Sequence, residues 1–551
     1  MQVQSRNPIL SVRTASGSDR IIFHFPFTIG HLEGSFVIVP CPTMSKLKML
    51  NGKWKMIRSL PLAVLTLCLF AAPVFAQNLR VVIRLVPESN RVIIEGSCAP
   101  TKVWSFRDSY AGILGLGGRV ERLRLFDNAG IEIPYRKIAP GQFASDASAS
   151  SFQYEVRLTP LAAASDAAKV SWLNNERGLL MLGDLLPTTS VATDDRREKG
   201  RMAIRFELPA SWTVHSNENE TRPWNFEVVD SDHAVFVAGN RLRVSRTMVS
   251  GMAFNLVADG DWAFADTDAS ELAAKVLKAH RDVFGSMPAK QSTLILLPFQ
   301  GLLADRWSAE TRGSTVTLLM GQITSKVAAL VRLSTPLTHE LFHLWVPNGL
   351  ALHDDYDWFY EGFTVYQAAR TAVRLNLLTL PEFLNAIARA YDGYVAGVDH
   401  DRWSLVEASQ RRWTVGESSV YSKSMVVAFL YDLKLRSQSH GKRSLDDVYR
   451  KLFQRYRSSD PASSTLNDGV GNDAVMNVLA GESISQDFVQ MFVRNPVVIN
   501  LQAELAPFGL RAEKFGSRTS ISVSEQLTKR QRDLLRELGY NDYVRPQHRG
   551  T

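Results

Sequence analysis

The chain predicts an α+β protein: a β-sandwich-like N-terminal domain, a second domain mixing strands with helices, and a C-terminal helical lobe. Three patterns carry this prediction. Between residues 77 and 258 apolar side chains recur with period two, the spacing of strands with one buried face. Over 268–285 the period becomes helical, and two short apolar runs at 293–297 and 314–320 then read as buried strands. From there to about residue 514 helical patterns dominate.

The 551 residues exceed what one core can bury, so two or three domains are expected. With 45% hydrophobic and 21% charged residues, the composition is that of an ordinary globular protein. Eight basic and two acidic side chains precede Gln77, so only +2 of the net +8 belongs to the rest of the chain. That balance argues against nucleic acid as a partner.

Lys53, Lys55 and Arg58, the apolar run 60–72, and Val74-Phe75-Ala76 read as the three regions of a signal peptide over about 56–76. The mature chain then begins near Gln77 and is exported, to a periplasm or out of the cell. The apolar run falls short of the roughly 20 residues that span a bilayer, so no stable membrane span is expected in the mature chain. Leu67 before Cys68 is bulky where a lipidation site needs a small residue. Met44, Met49 and Met56 are all possible starts, and Met56 gives a leader of ordinary length, so residues 1–55 receive no fold. Cys41 and Cys68 go with the leader, and Cys98 alone cannot form an internal disulfide.

In the β domain, 77–258, strands are expected at 79–86, 120–126, 152–158 and 202–208, with a turn at Asp127-Asn128-Ala129-Gly130. Gly115, Gly117 and Gly118 read as a glycine-rich connection, since a phosphate loop needs a third glycine and a following helix. The helix over 268–285 presents Leu272, Val276, Ala279 and Val283 on one face. The second domain covers 259–415 and the helical lobe 416–514, with helices at 381–395, 418–436, 444–456, 472–479 and 485–493. A basic tail, 515–551, includes a helix-like 528–538, where Lys529, Arg530, Arg532 and Arg536 alternate with Asp533 and Glu537 as on a solvated face.

Chemistry enters at His339-Glu340-Leu341-Phe342-His343. Ser334-Thr335-Pro336 predicts a helix start just before it, with a hydroxyl cap and a proline in the first turn. Residues four apart stack one turn above each other, so His339 and His343 can hold two corners of a zinc tetrahedron. Glu340 is then placed to take a proton from water rather than to bind metal. The third ligand decides the matter. One known solution needs Gly and His where this chain has Val346 and Gly349, and it fails; the other needs a Glu on a following helix, and Glu361 supplies it. The expectation is one zinc per chain on His339, His343 and Glu361, a fourth position open to water, and Glu340 as base. His353, Asp354, Asp355 and Asp357 read as a solvated connection, with Asp357 capping the Glu361 helix, over a second cation site. Val365 offers no carboxylate to orient a zinc histidine, which leaves Thr364 as the candidate.

Around this motif the chain resembles the glycyl aminopeptidase family of gluzincin zinc metallopeptidases, over 77 to about 514 and most strongly over 290–456. Residues 310–316 are similar to the family's Leu-Glu-His-x-x-Ser-Thr stretch on the strand edging the active site, and 420–436 to its Tyr-x-Lys-Gly helix; 444–456 continues the match. The resemblance implies a thermolysin-like zinc catalytic domain. It implies that Tyr421 donates its O–H to the oxyanion, and that Glu310 binds the free α-amine of a peptide and so restricts cleavage to the first bond. The chain departs from the family at Ser308-Ala309, where relatives have glycines, at Thr311 in place of His, and at Ser424 in place of Gly. The 37 residues after 514 are too few for the PDZ domain that relatives often carry. The expected function is an exported zinc aminopeptidase acting on peptides or proteins with small N-terminal residues, Gly or Ala. A zinc endopeptidase of broader specificity and a non-catalytic peptide-binding protein on a peptidase scaffold are the competing readings.

Overall fold

Strand β1 (Leu79–Val86) turns Leu79, Val81, Ile83 and Leu85 inward and the alternate residues outward, as its period-two sequence predicts. Burial of each such side chain stabilises the fold by roughly 1.5–3 kcal/mol relative to exposure. The computed structural model describes residues 79–188, 201–299, 306–398, 400–458, 469–482 and 486–541. The expected signal peptide lies outside them.

From β1 the chain runs through β2 (Arg91–Ser105), the small hairpin β3 (Ser109–Tyr110) and β4 (Ile113–Leu114), β5 (Val120–Phe126), β6 (Gln142–Arg157) and β7 (Met202–Glu207). The main sheet contains the order β7-β1-β2-β6-β5, antiparallel except for the parallel pairing of β1 with β7. A four-stranded sheet, which includes Arg177–Met181 and Val235–Gly239, packs on its inner face. Leu180, Phe236 and Ala238 from this second sheet share a core with Ile83, Ile94 and Tyr154 from the first. This is the expected sandwich. The alternate residues Leu179, Met181, Val235 and Val237 join a second core with Ile295, Leu297 and Leu319 of the next domain. Both faces of these strands are therefore buried, which is why they read as unbroken apolar runs.

The next sheet has the order β8-β9-β10-β12-β11, from β8 (Arg243–Val249), β9 (Met252–Ala258), β10 (Gln291–Pro298), β11 (Trp307–Arg312) and β12 (Thr315–Met320). β9, β10 and β12 run parallel, and β11 lies antiparallel on the edge. Residues 243–258, expected to close the β domain, thus belong to this sheet. Helix α1 (Asp266–Phe284) ends at Gly285, whose φ of 89° is the left-handed stop that glycine favours. Its buried stripe is Ala269, Ala273, Val276, Leu277, His280, Val283 and Phe284, so Leu272 and Ala279 lie beside the contact rather than in it.

Helix α2 (Lys326–Glu340) corrects the expected helix start at 334–336. It begins eight residues earlier, where the Ser325 hydroxyl accepts from Ala328 N at 3.3 Å, and Pro336 sits inside it. The proline removes one backbone donor. Nearby hydroxyls supply others: Ser334 Oγ donates to the Val331 carbonyl at 2.7 Å and Thr338 Oγ1 to that of Ser334 at 3.0 Å. Below α2, His280 Nε2 reaches the Thr338 carbonyl at 3.1 Å. Burial lowers the His280 pKa to about 3, so the ring is neutral and donates, tying α1 to the motif-bearing helix.

The helical lobe includes α3 (Thr364–Arg374), α4 (Leu380–Ala396), α5 (Ser424–Gln438) and α6 (Leu445–Tyr456). Asp432 joins three of them: it accepts from Tyr366 on α3 at 2.5 Å, from Arg436 on α5 at 2.9 Å and from Leu445 N on α6 at 2.7 Å. The boundary expected at residue 515 falls inside a hairpin, Leu510–Phe515 with Arg518–Val523. That hairpin docks on α4 through Thr519, whose N and Oγ1 donate to Asp392 at 2.9 and 2.6 Å. Helix α7 (Lys529–Arg536) buries Leu534 and Leu535, and the neighbouring Glu537 pairs with Arg436 at 2.7 Å. The segment expected to trail as a basic tail thus buries Leu534, Leu535 and Leu538.

Candidate active site

His339 stands in the last turn of α2, and His343 in a 3-10 turn, Phe342–Leu344, that continues it. Their Nε2 atoms are 3.0 Å apart. Glu361, on a π-helical turn Trp358–Phe363, brings Oε2 to 3.3 Å from His339 Nε2 and 3.5 Å from His343 Nε2. Ligands on a tetrahedral zinc at about 2.0–2.1 Å lie about 3.3 Å from one another, and this triangle matches that spacing. His343 Nδ1 faces the Val346 carbonyl at 2.9 Å. A carbonyl only accepts, so Nδ1 carries a proton and Nε2 is the nitrogen turned towards the other two ligand atoms, free to bind a cation once it gives up its own proton.

The electrostatics also suit a cation. Burial pulls the metal-free His343 down, but Glu361 and Glu340 outweigh it and hold the ring up to about 9. Burial likewise disfavours charge on Glu361, yet the Arg412 guanidinium and His343 hold its carboxyl well below the usual range.

Glu340 is buried beside the triangle, and Thr311 Oγ1 lies 2.7 Å from its Oε2 and 3.0 Å from its carbonyl. Tyr421 sits on a second π-helical turn, Ser419–Lys423. Burial and the nearby Glu361 and Glu340 push its hydroxyl up, against the opposing pull of Arg412, so it stays protonated. The two π turns pack closely: a Cβ on Gly362 would meet the Val420 carbonyl at 2.3 Å and Ser424 Cβ at 2.2 Å. Gly362 thus provides the close approach, and Ser424, whose hydroxyl donates to the Ser419 carbonyl at 3.1 Å, fits without a second glycine.

Arg412 is the residue the sequence did not mark. Its Nη2 donates to Glu361 Oε1 at 2.8 Å and to the Tyr421 hydroxyl oxygen, and its Nη1 donates to Asp357 Oδ1 at 2.7 Å. A guanidinium only donates, so the Tyr421 proton is free to point elsewhere. Asp357 therefore does not cap the Glu361 turn as expected; its carboxylate accepts from Arg412 and from Tyr360 O–H at 2.6 Å. The expected role of Thr364 as a histidine orienter is also replaced, by the Val346 carbonyl on His343 and Arg412 on Glu361, while Thr364 lies beside Tyr449. His353, Asp354 and Asp355 are exposed.

Glu310 lies on the edge strand β11, close enough to Glu340 for the two charges to repel, and burial raises its carboxyl. Its Oε1 accepts from Tyr110 of the β domain at 2.5 Å. The structure thus gathers His339, His343, Glu361, Glu340 and Tyr421 in one place, with Glu310 on the adjoining strand.

This arrangement, two layers of β domain leading into an edge-stranded sheet, a motif helix and a helical lobe, has solved counterparts. An aminopeptidase N family protein from Idiomarina loihiensis superposes with a TM-score of 0.66 at 18% identity, covering 79% of each chain. The fold is that of the M1 zinc metallopeptidases. A mutant of an M1 zinc metallopeptidase from Deinococcus radiodurans, bound to a Tyr-Ser-Ala substrate, matches with a TM-score of 0.50 at 13% identity over 77% of this chain and 95% of that one. No protein-family model and no curated protein matches the sequence. Among the described residues no helix is long and apolar enough to cross a membrane.

Proposed function

We propose that the protein is an exported zinc aminopeptidase that releases small N-terminal residues, Gly or Ala, from peptides. The observation that carries this is the donor triangle of His339, His343 and Glu361 with Glu340 and Tyr421 beside it. The M1 fold and the finer resemblance to the glycyl aminopeptidases support the same reading.

His339, His343 and Glu361 would hold one zinc, which when bound lowers the pKa of a water and polarises the peptide carbonyl. Glu340 accepts the proton of the water as its oxygen bonds to the carbonyl carbon. It then delivers that proton to the departing amine as the C–N bond breaks. Tyr421 donates its O–H to the carbonyl oxygen as negative charge gathers there, the free direction of its proton being set by Arg412. Glu310 pairs with the ammonium of the first residue. The leader over about 56–76 would be removed near Ala76 on export, giving a first residue near Gln77 in protein expressed from Met56.

The test compares peptides with free and acetylated N-termini. A charge-assisted hydrogen bond contributes roughly 1.5–3 kcal/mol, so Glu310→Gln should lower kcat/KM on free Gly or Ala peptides by about ten- to a hundredfold. Blocked peptides should be poor substrates throughout. Equal cleavage of blocked and free peptides by the unmodified enzyme would replace this reading with an endopeptidase. Zinc binding without any turnover would replace it with a peptide-binding protein.

A further inference from the structure

The β3–β4 hairpin belongs to the β domain, yet it reaches the strand that carries Glu310. Tyr110, the last residue of β3, donates its hydroxyl proton to Glu310 Oε1 at 2.5 Å. Its ring lies 3.9 Å from the Arg312 guanidinium and 5.0 Å from that of Arg107. The turn meets Trp413 as well: a Cβ on Gly112 would come within 3.3 Å of the indole. Trp413 stacks against Arg412 at 4.2 Å, and Arg412 binds Glu361. One hairpin therefore joins the edge strand to the turn that supports the third metal-ligand candidate. Its two-residue turn, Ala111 at φ 49° and Gly112 at φ 81°, is of the tight left-handed type that fixes strand register and so fixes where Tyr110 stands.

We propose that Tyr110 is a specificity-determining wall of the cleft: it closes the side beyond Glu310, so that the site admits a single residue ahead of the scissile bond, and a small one. This rests on the aminopeptidase reading of Glu310. Tyr110 and Arg312 both approach Oε1, which leaves Oε2 for a substrate ammonium. The ring is held by two guanidiniums and by a hydrogen bond to a carboxylate. A bulky first side chain would have to displace it and forfeit those contacts, whereas Gly and Ala need no room there. An N-terminal extension meets the same ring.

The test uses the full zinc-loaded chain, aminoacyl coumarylamides of Gly, Ala, Leu and Phe, and acetyl-Ala coumarylamide. Tyr110→Ala should raise the kcat/KM ratio of Phe to Ala by at least about tenfold, the scale on which pocket size discriminates side chains. Tyr110→Phe keeps the ring and should keep the ratio. Should Tyr110→Ala not fold, Trp413→Ala, at a side chain 51% exposed, removes the hairpin's support and should shift the ratio in the same direction. A ratio unchanged in every soluble variant that removes the ring or its support overturns the wall. Cleavage of the acetylated substrate as fast as the free one by the unmodified enzyme overturns the aminopeptidase reading and with it the exclusion of an N-terminal extension, and the Phe-to-Ala ratio then decides separately whether Tyr110 limits the size of the first side chain.

Discussion

Arg412 and Glu361 share one carboxylate between two tasks: Arg412 Nη2 holds Oε1 at 2.8 Å, while Oε2 faces the two histidines at 3.3 and 3.5 Å. A carboxylate free to rotate would present either oxygen, or both, to a cation. Pinning one oxygen fixes the other, and the pin is itself fixed by Asp357.

Removing that pin should therefore weaken metal binding without touching a ligand. Partners of this kind typically contribute ten- to a hundredfold in metal affinity or activity. Arg412→Met should lose about that much zinc affinity in a chelator competition, and Arg412→Lys should recover part of it through charge alone. Unchanged affinity in Arg412→Met would mean that Glu361 is held by its turn and not by the guanidinium.

The ligand and base assignments separate cleanly in two variants. His343→Ala removes a donor and should purify without its zinc; full occupancy there would end the ligand assignment. Glu340→Gln removes the base and no ligand, so metal content should stay near one per chain while turnover falls by about a hundredfold or more. Loss of zinc in Glu340→Gln would show that its role has been misread.

The parts of this site that were legible in the sequence are local ones. His339, Glu340 and His343 lie within one turn and a half of helix, and strands such as Leu79–Val86 announce themselves by alternation. The helix starts earlier than its sequence suggests because Ser325, an ordinary serine nine residues before Ser334, caps it, while the more conspicuous Ser334-Thr335-Pro336 is accommodated inside it. The π-helical turns under Glu361 and Tyr421 follow from the packing at Gly362 and have no period of their own. Arg412 sits in Gln410-Arg411-Arg412-Trp413, which resembles any basic surface turn; only the fold brings it to a carboxylate 51 residues away. Tyr110 is 200 residues from Glu310 in sequence, beyond the reach of any motif.

Thr311 offers a test of how the base is held. Its hydroxyl lies 2.7 Å from Glu340 Oε2. A hydrogen bond to a charged group contributes roughly 1.5–3 kcal/mol. Thr311→Val, which keeps the shape, should lower kcat by up to about tenfold with zinc content unchanged, and Thr311→Ser should restore most of it. A change confined to KM would place Thr311 in substrate binding instead.

The last prediction concerns the framework behind the site. Asp432 is buried and joins α3, which continues from the Glu361 turn, to α5, which continues from the Tyr421 turn, and to α6. Burial alone would raise its carboxyl, but Arg436 and Arg370 outweigh it and hold the pKa down to about 2, against 3.8 unperturbed. A depressed acid stabilises the fold above its unfolded pKa and loses that contribution as pH falls through the folded one. The Asp432 contribution should thus be complete above about pH 4–5 and fade towards pH 2. Asp432→Asn leaves Arg436 and Arg370 without their shared anion, and breaking a buried pair costs on the order of 3–5 kcal/mol. Urea unfolding at pH 7 should show a lower midpoint for Asp432→Asn, and the gap between variant and unmodified protein should narrow between pH 4 and pH 2. A gap that stayed constant with acid would mean that Asp432 titrates like an ordinary surface carboxylate and that the three-helix junction is held by packing alone.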